Sequence, residues 1–297
     1  FFDFFWHHLP MKFSKGELCD HPEDPQGSPW VAIIGKVALT LSYGLMIFLN
    51  YAAAAKVFKV LGPGEISDMY PTYFTPAGFA FAIWGPIFLS LGVMVVWSLI
   101  PKQPDYTWRF TLALMSNFLA NGSWLIIFGR EMFLLSVVII LYMLCTVIYL
   151  YRSRHPWRVS AFPMLTWEYV AIEFPISLYM GWLSVATIAN FSVALSAPPV
   201  NWDPNGPLLS AIMQVVAACL GMLMLLAHHD VVYTLVLCWA LAAIHVKQVN
   251  AAGKCALALC VILGVLVFGT TIYVIRRHHF KPKPPPSATQ ISGEQVA

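Results

Sequence analysis

Long apolar stretches, separated by short polar or Gly/Pro-bearing connectors, dominate this chain. A membrane-crossing helix needs about 20 mainly apolar residues. Trp30 to Asn50 supplies the first such stretch, and its apolar character persists to about Leu61. Others follow over Gly78 to Ile100, Trp108 to Phe128, Met132 to Tyr151 and about Trp167 to Leu195. Pro207 to Ala227, Val231 to Gln248 and Cys255 to Ile275 complete the series. The pattern predicts an all-α integral membrane protein with about eight transmembrane helices. A polar tail over 1–29 precedes them. A basic, Pro-rich tail over 277–297 follows and has the composition of a disordered segment.

An even number of crossings puts both termini on one side. That side would carry Lys12, Lys15, Lys102, Arg109, Arg152, Arg154, Arg158, Arg276, Arg277, Lys281 and Lys283. The other would carry only Lys56, Lys59, Arg130, Lys247 and Lys254. The asymmetry predicts that both termini face the cytoplasm or an equivalent compartment. His228-His229-Asp230 is the critical point, because it leaves almost no connector between two spans. Losing one span there would break the parity.

Composition strengthens this picture. Hydrophobic residues make up 59% of the chain and charged residues 10%, against about 25% charged in soluble domains. A soluble fold of this length would lack a charged surface, whereas lipid suits an apolar one. The net charge of +3 is small and clustered at helix ends, so no nucleic-acid partner is expected. Cys145, Cys219, Cys238, Cys255 and Cys260 lie in apolar stretches and only Cys19 in a polar one. They form no CxxC pair and suggest packing rather than a disulfide framework. The chain begins Phe1-Phe2-Asp3, and Met11 before the polar run 12–27 is a plausible start. Residues 1–10 are too short for a secretory leader.

Polar groups within spans are costly, so they are the first candidates for chemistry. Glu168 suits an interface, while Glu173, two residues before Pro175, lies deeper. Lys36 can extend its amine to the interface. Asn117 and Asn121 are one helical turn apart and share a face, which points to hydrogen bonds between helices. Asn190 and Gln214 are further amides within spans. The pairs His7-His8, His228-His229 and His278-His279 lack the i, i+4 spacing of a helical metal site. No phosphate loop or nucleophile elbow occurs, so neither catalytic nor metal-binding residues are assigned. Trp108, Trp157 and Trp167 suit an interfacial belt, but Trp84, Trp124 and Trp182 lie deeper, where indoles can line a flat apolar pocket.

Three motifs sharpen this reading. Phe74-Thr75-Pro76-Ala77-Gly78, leading to Trp84, resembles the second-helix entrance of the tryptophan-rich sensory protein family (TspO/MBR), which includes the mitochondrial translocator protein. Asn121-Gly122-Ser123-Trp124, continuing to Phe128-Gly129-Arg130, resembles that family's third helix. Trp182-Leu183-Ser184-Val185-Ala186-Thr187-Ile188-Ala189-Asn190 resembles its fifth. The likeness covers roughly residues 30–195, with 196–276 as a three-helix extension of the kind found in longer TspO-related proteins. Three departures are Pro76-Ala77 for a Pro-Pro pair, a shift of Trp84 by one residue, and a fifth-helix proline, Pro175, that lies nearly a turn further from Trp182.

The resemblance implies a five-helix bundle that binds or carries a planar hydrophobic ligand, a porphyrin, sterol or lipid, with no cofactor required and no enzyme activity. Segment 62–77 would be the lid. Trp84, Trp124 and Trp182 would form walls, with Asn121 and Asn190 as polar contacts. Pro76, Tyr179, Ala186 and Thr187 would complete the ligand-binding set. Expected partners are the lipid bilayer, the hydrophobic small molecule and a second copy or other membrane-complex subunits. A structural subunit of a larger membrane assembly is the alternative. A proton-coupled transporter using Glu173 and His245 is a third reading.

Overall fold

The computed structural model describes residues 29–101, 106–154, 166–200 and 207–279. The tail 1–28 with Cys19, the tail beyond 279, Trp157 and Trp202 lie outside the described residues. Within them the chain is helical: α1 Pro29–Ala54, α2 Pro63–Met69, a 3-10 turn Gly78–Ile83 leading into α3 Trp84–Leu99, α4 Trp108–Gly129 and α5 Phe133–Arg154. A π-helical turn Tyr169–Glu173 then leads into α6 Phe174–Ser196, followed by α7 Pro207–His228, α8 Val231–Lys247 and α9 Ala251–His279.

Seven of these segments are long and apolar enough to cross a membrane, while α8 is shorter. At about 1.5 Å per residue, the 17 residues of α8 rise roughly 25 Å. Contacts at both its ends show that α8 still runs the height of the bundle. Asp230 at its start accepts a hydrogen bond from Ser177 near the start of α6 (2.7 Å). Lys247 at its end reaches Asp68, beyond the end of α1 (2.7 Å). The eight apolar helices therefore alternate in direction, and α9 ends at the level where α1 begins.

Local chemistry explains the breaks between them. His229 takes a positive φ of 54°, which turns the chain within one residue. Asp230 then caps α8 by accepting from the Tyr233 N–H (2.9 Å). The short connector anticipated at His228-His229-Asp230 is thus built by these two residues. Pro86 lies in the first turn of α3, where a missing N–H costs no intrahelical bond. Before α6, Pro175 cannot donate to the preceding turn. The widened turn, with Phe174 N–H bonded to Tyr169 O, absorbs that loss.

The Gly/Pro-bearing segment after α1, expected as the lid, contains α2. Pro63 starts this helix, and the Glu65 carboxylate accepts from the Gly62 N–H (2.6 Å). That bond, together with the Lys56 ammonium beside it, holds the Glu65 carboxyl below the usual carboxylate range. At Gly129 an added Cβ would stand 2.5 Å from Leu61 O. Only a residue without a side chain lets the Leu61 N–H bond Gly129 O (3.1 Å) and seat this segment on α4.

One apolar core runs through the whole bundle, from Leu39 and Met46 through Phe118, Ile140 and Trp182 to Leu241 and Leu263. Gly181 brings α6 close to α8, with Val236 and Tyr233 O directly against it. The three C-terminal helices thus join the bundle chiefly through α8, which packs against α6, while α9 packs on α7 and α8. Large apolar side chains such as Ile34, Leu41, Phe48, Leu89, Val138, Leu226 and Phe268 face outward, as lipid contact requires.

Candidate functional site

Two adjoining systems surround the deep tryptophans. The first is a seam of amides between helices. Asn50 Nδ2 on α1 donates to Asn121 Oδ1 on α4 (3.0 Å). Asn121 Nδ2 donates to the Tyr179 hydroxyl of α6 (3.2 Å), which donates in turn to Asn117 Oδ1 (2.8 Å). Asn117 Nδ2 then reaches Met143 O and Thr146 Oγ1 on α5. A second chain links Trp124 Nε1 to Asn190 Oδ1 (2.8 Å), and Asn190 Nδ2 to Ser136 Oγ (2.9 Å). These are the interhelical bonds anticipated for Asn117 and Asn121. Each bond ties together helices that an apolar solvent would not drive into association.

The second system is aromatic. Trp84, half-buried at the start of α3, lies within 5.4 Å of Phe88, 6.2 Å of Trp124, 6.2 Å of Tyr179 and 6.3 Å of Trp182, ring centre to ring centre. Phe81 meets Trp182 edge-on at 6.1 Å, and Trp124 stacks on Phe128 at 5.0 Å. At these separations the rings touch one another, so side chains fill the space between Trp84 and Trp182. Trp182 is 2% exposed, and among the described residues no group accepts a hydrogen bond from its Nε1. A buried, unmade donor of this kind costs about 1–3 kcal/mol.

Most of the residues implied by the motifs converge here. Trp84, Trp124, Trp182 and Tyr179 form the aromatic cluster, and Asn121 and Asn190 lie beside it with both amide atoms occupied by protein partners. Pro76 is buried in the segment above the cluster. Ala186 and Thr187 are half-buried, and the Thr187 hydroxyl bonds within its own helix, to Leu183 O (2.7 Å). Phe81, Phe88, Asn50 and Ser136 were not singled out from the sequence. For Asn50, an amide at the end of an apolar run was the available signal.

The lid segment is held from two sides. Tyr70 donates to Glu131 (2.7 Å) in the α4–α5 turn, and that carboxylate raises the phenol above its ordinary range. From α8, Gln248 Nε2 donates to Thr72 O (3.0 Å) and Thr75 O (3.2 Å). Trp239 Nε1 donates to Ala80 O (3.1 Å) while its ring meets Phe79 edge-on at 5.2 Å. Glu173 and His245, the pair of the transport reading, are not brought together. Glu173 precedes α6 near the start of α8, whereas His245 lies near the end of α8, with Nδ1 against Gly253 O (3.0 Å). Lys36 lines a separate groove of about 260 Å³ between α1 and α4, with Leu39, Ser98, Trp108 and Thr111.

The sequence profile of the TSPO-like protein family matches residues 36–273. The chain belongs to that family. The match takes in the amide seam, the aromatic cluster and most of the three C-terminal helices of this TSPO-like protein. No curated protein and no solved structure matches the chain.

Proposed function

We propose that this TSPO-like membrane protein binds a largely planar hydrophobic ligand, of porphyrin, sterol or lipid chemistry, at the Trp84–Trp182 cluster. The observation that carries this reading is the Trp182 indole N–H, buried and without an acceptor among the described residues. A ligand with a carbonyl, carboxylate or hydroxyl oxygen supplies the missing acceptor. Its apolar face lies against the rings. Because the rings already touch, binding requires Trp84, the half-buried member, to move aside. Asn121 and Asn190 then act through the helices they position.

Saturable quenching of tryptophan fluorescence by protoporphyrin in detergent tests the proposal on the full chain. The Trp84→Ala/Trp182→Ala double substitution is expected to raise the midpoint by roughly tenfold or more. An unchanged midpoint removes the site. Midpoint is the quantity to compare, because deleting two indoles changes the amplitude in any case.

The close ring packing favours a second reading, a structural subunit whose interior is already filled by its own side chains. That reading expects stoichiometric co-purification with other membrane subunits. It also expects no saturable quenching by the isolated, monodisperse protein.

A further inference from the structure

We infer that the end of α8 is a clasp holding residues 66–80 over the aromatic cluster, with Gln248 as its principal positioning residue. We further infer that release of this clasp sets how fast a ligand reaches Trp84 and Trp182. The second part rests on the ligand-binding reading above, whereas the first does not.

The geometry is concentrated. Within one short stretch, Lys247 pairs with Asp68, Gln248 bridges two carbonyls at Thr72 and Thr75, and Ala243 O accepts from the Ala77 N–H (3.0 Å). Trp239, about two turns earlier on α8, holds Ala80 O. These partners are more than 150 residues apart in sequence, so α8 holds the segment as a tertiary anchor. The segment itself has few internal supports between Tyr70 and Ala77, chiefly the Thr72–Thr75 bonds. Ala80 and Phe81 lie about one turn before Trp84, and Phe81 meets the edge of Trp182. Displacing residues 72–80 therefore draws Phe81 off Trp182 and uncovers Trp84.

The components differ in strength. The Lys247–Asp68 pair is well exposed, with side chains 39% and 65% accessible, and pairs of that kind contribute little. The Gln248 bonds are part-buried and end on two backbone carbonyls outside any helix or sheet, of which Thr72 O also accepts from the Thr75 N–H (3.0 Å). Gln248 thus dominates and Lys247 trims. A rival arrangement holds the segment from the α4–α5 side alone, through Tyr70–Glu131 and Leu61–Gly129. It leaves Gln248 idle.

Hydrogen exchange on the full-length protein in detergent separates the two. In Gln248→Met, amides of residues 66–80 are expected to exchange roughly three- to tenfold faster. In Lys247→Glu the gain is about two- to threefold, returning to the wild-type rate in the swapped pair Asp68→Lys/Lys247→Glu. Exchange in α6 stays unchanged in all of them, which separates release of the clasp from general loosening. If Gln248→Met also loosens α6, the Lys247 reversal and its rescue carry the test. Unaltered exchange over 66–80 in both variants overturns the clasp.

Stopped-flow quenching by protoporphyrin then tests control of access. Association and dissociation should accelerate together, with the midpoint moving less than about twofold. Faster exchange with unchanged quenching rates overturns control of access. If the wild type shows no saturable quenching, the binding proposal and control of ligand access both fail. The exchange result still decides whether α8 anchors the segment.

Discussion

Trp124 and Trp182 flank Trp84 at nearly equal distances, 6.2 and 6.3 Å, yet they are differently provided for. The Trp124 N–H ends on Asn190, which ends in turn on Ser136, so its polar edge is part of a closed chain. The Trp182 N–H ends on no atom of the described residues. In a membrane interior water does not make good such a deficit cheaply, so satisfied groups are the rule. The contrast separates two roles that tryptophan content alone confuses. Trp124 belongs to the fastening of α4, α5 and α6, whereas Trp182 presents an unused donor beside the only half-buried indole of the trio.

The fastening side should break hardest. Asn117 accepts from Tyr179 and donates to two groups of α5. Asn117→Leu removes those bonds and leaves the buried Tyr179 donor without an acceptor. A loss of about 3 kcal/mol is expected, measured as thermal or denaturant unfolding in detergent. A loss below about 0.5 kcal/mol means that membrane helix packing alone suffices and the seam adds little.

Next in size is Trp124→Phe. Truncating the ring costs about 1 kcal/mol of packing, and stranding Asn190 Oδ1 adds about 1 kcal/mol more. Asn190→Leu in the Trp124→Phe background should recover part of the second portion, since both partners are then apolar. Because Asn190→Leu also removes the Asn190–Ser136 bond, its cost alone in the wild-type background is subtracted first. Absence of recovery after that places the cost of Trp124→Phe in packing and weakens the contrast with Trp182.

How much of this was legible depended on the range of the interaction. Span positions follow from runs of apolar residues, so the observed ends from Gly78 at the start of the second span to Lys247 at the end of the seventh all lie within a few residues of those expected. The unequal strength of the spans was less visible, because α8 is shorter than its neighbours yet runs the height of the bundle through contacts at its two ends. α2 escaped notice because a seven-residue helix has no apolar period, and only Pro63 and Glu65 signalled it. The amides were identifiable as intramembrane polar groups, but their partners were not. Asn50 finds Asn121 across 71 positions, and Trp124 finds Asn190 across 66. Such pairings are set by how helices rotate against each other, which hydrophobic pattern alone leaves open. The anchoring of segment 66–80 by α8 was hidden for the same reason, since the motifs stop at Asn190.

Trp182→Phe is the smallest change in stability and the most discriminating. It keeps an aromatic ring against Phe81 and Trp84 and removes an N–H that makes no bond in the protein. Only the truncation remains, about 1 kcal/mol, so this variant should unfold about 1 kcal/mol closer to wild type than Trp124→Phe. For ligand the order reverses. A neutral hydrogen bond formed in a dry site contributes about 1 kcal/mol, so Trp182→Phe should raise the protoporphyrin midpoint roughly fivefold, while Trp124→Phe leaves it near the wild-type value. If the two variants are equally destabilised and bind alike, the difference in their N–H environments has no energetic meaning. The cluster is then packing throughout. If stability follows the order given but binding does not, the orphan donor is a tolerated cost of the fold, and the filled interior of a structural subunit becomes the better description.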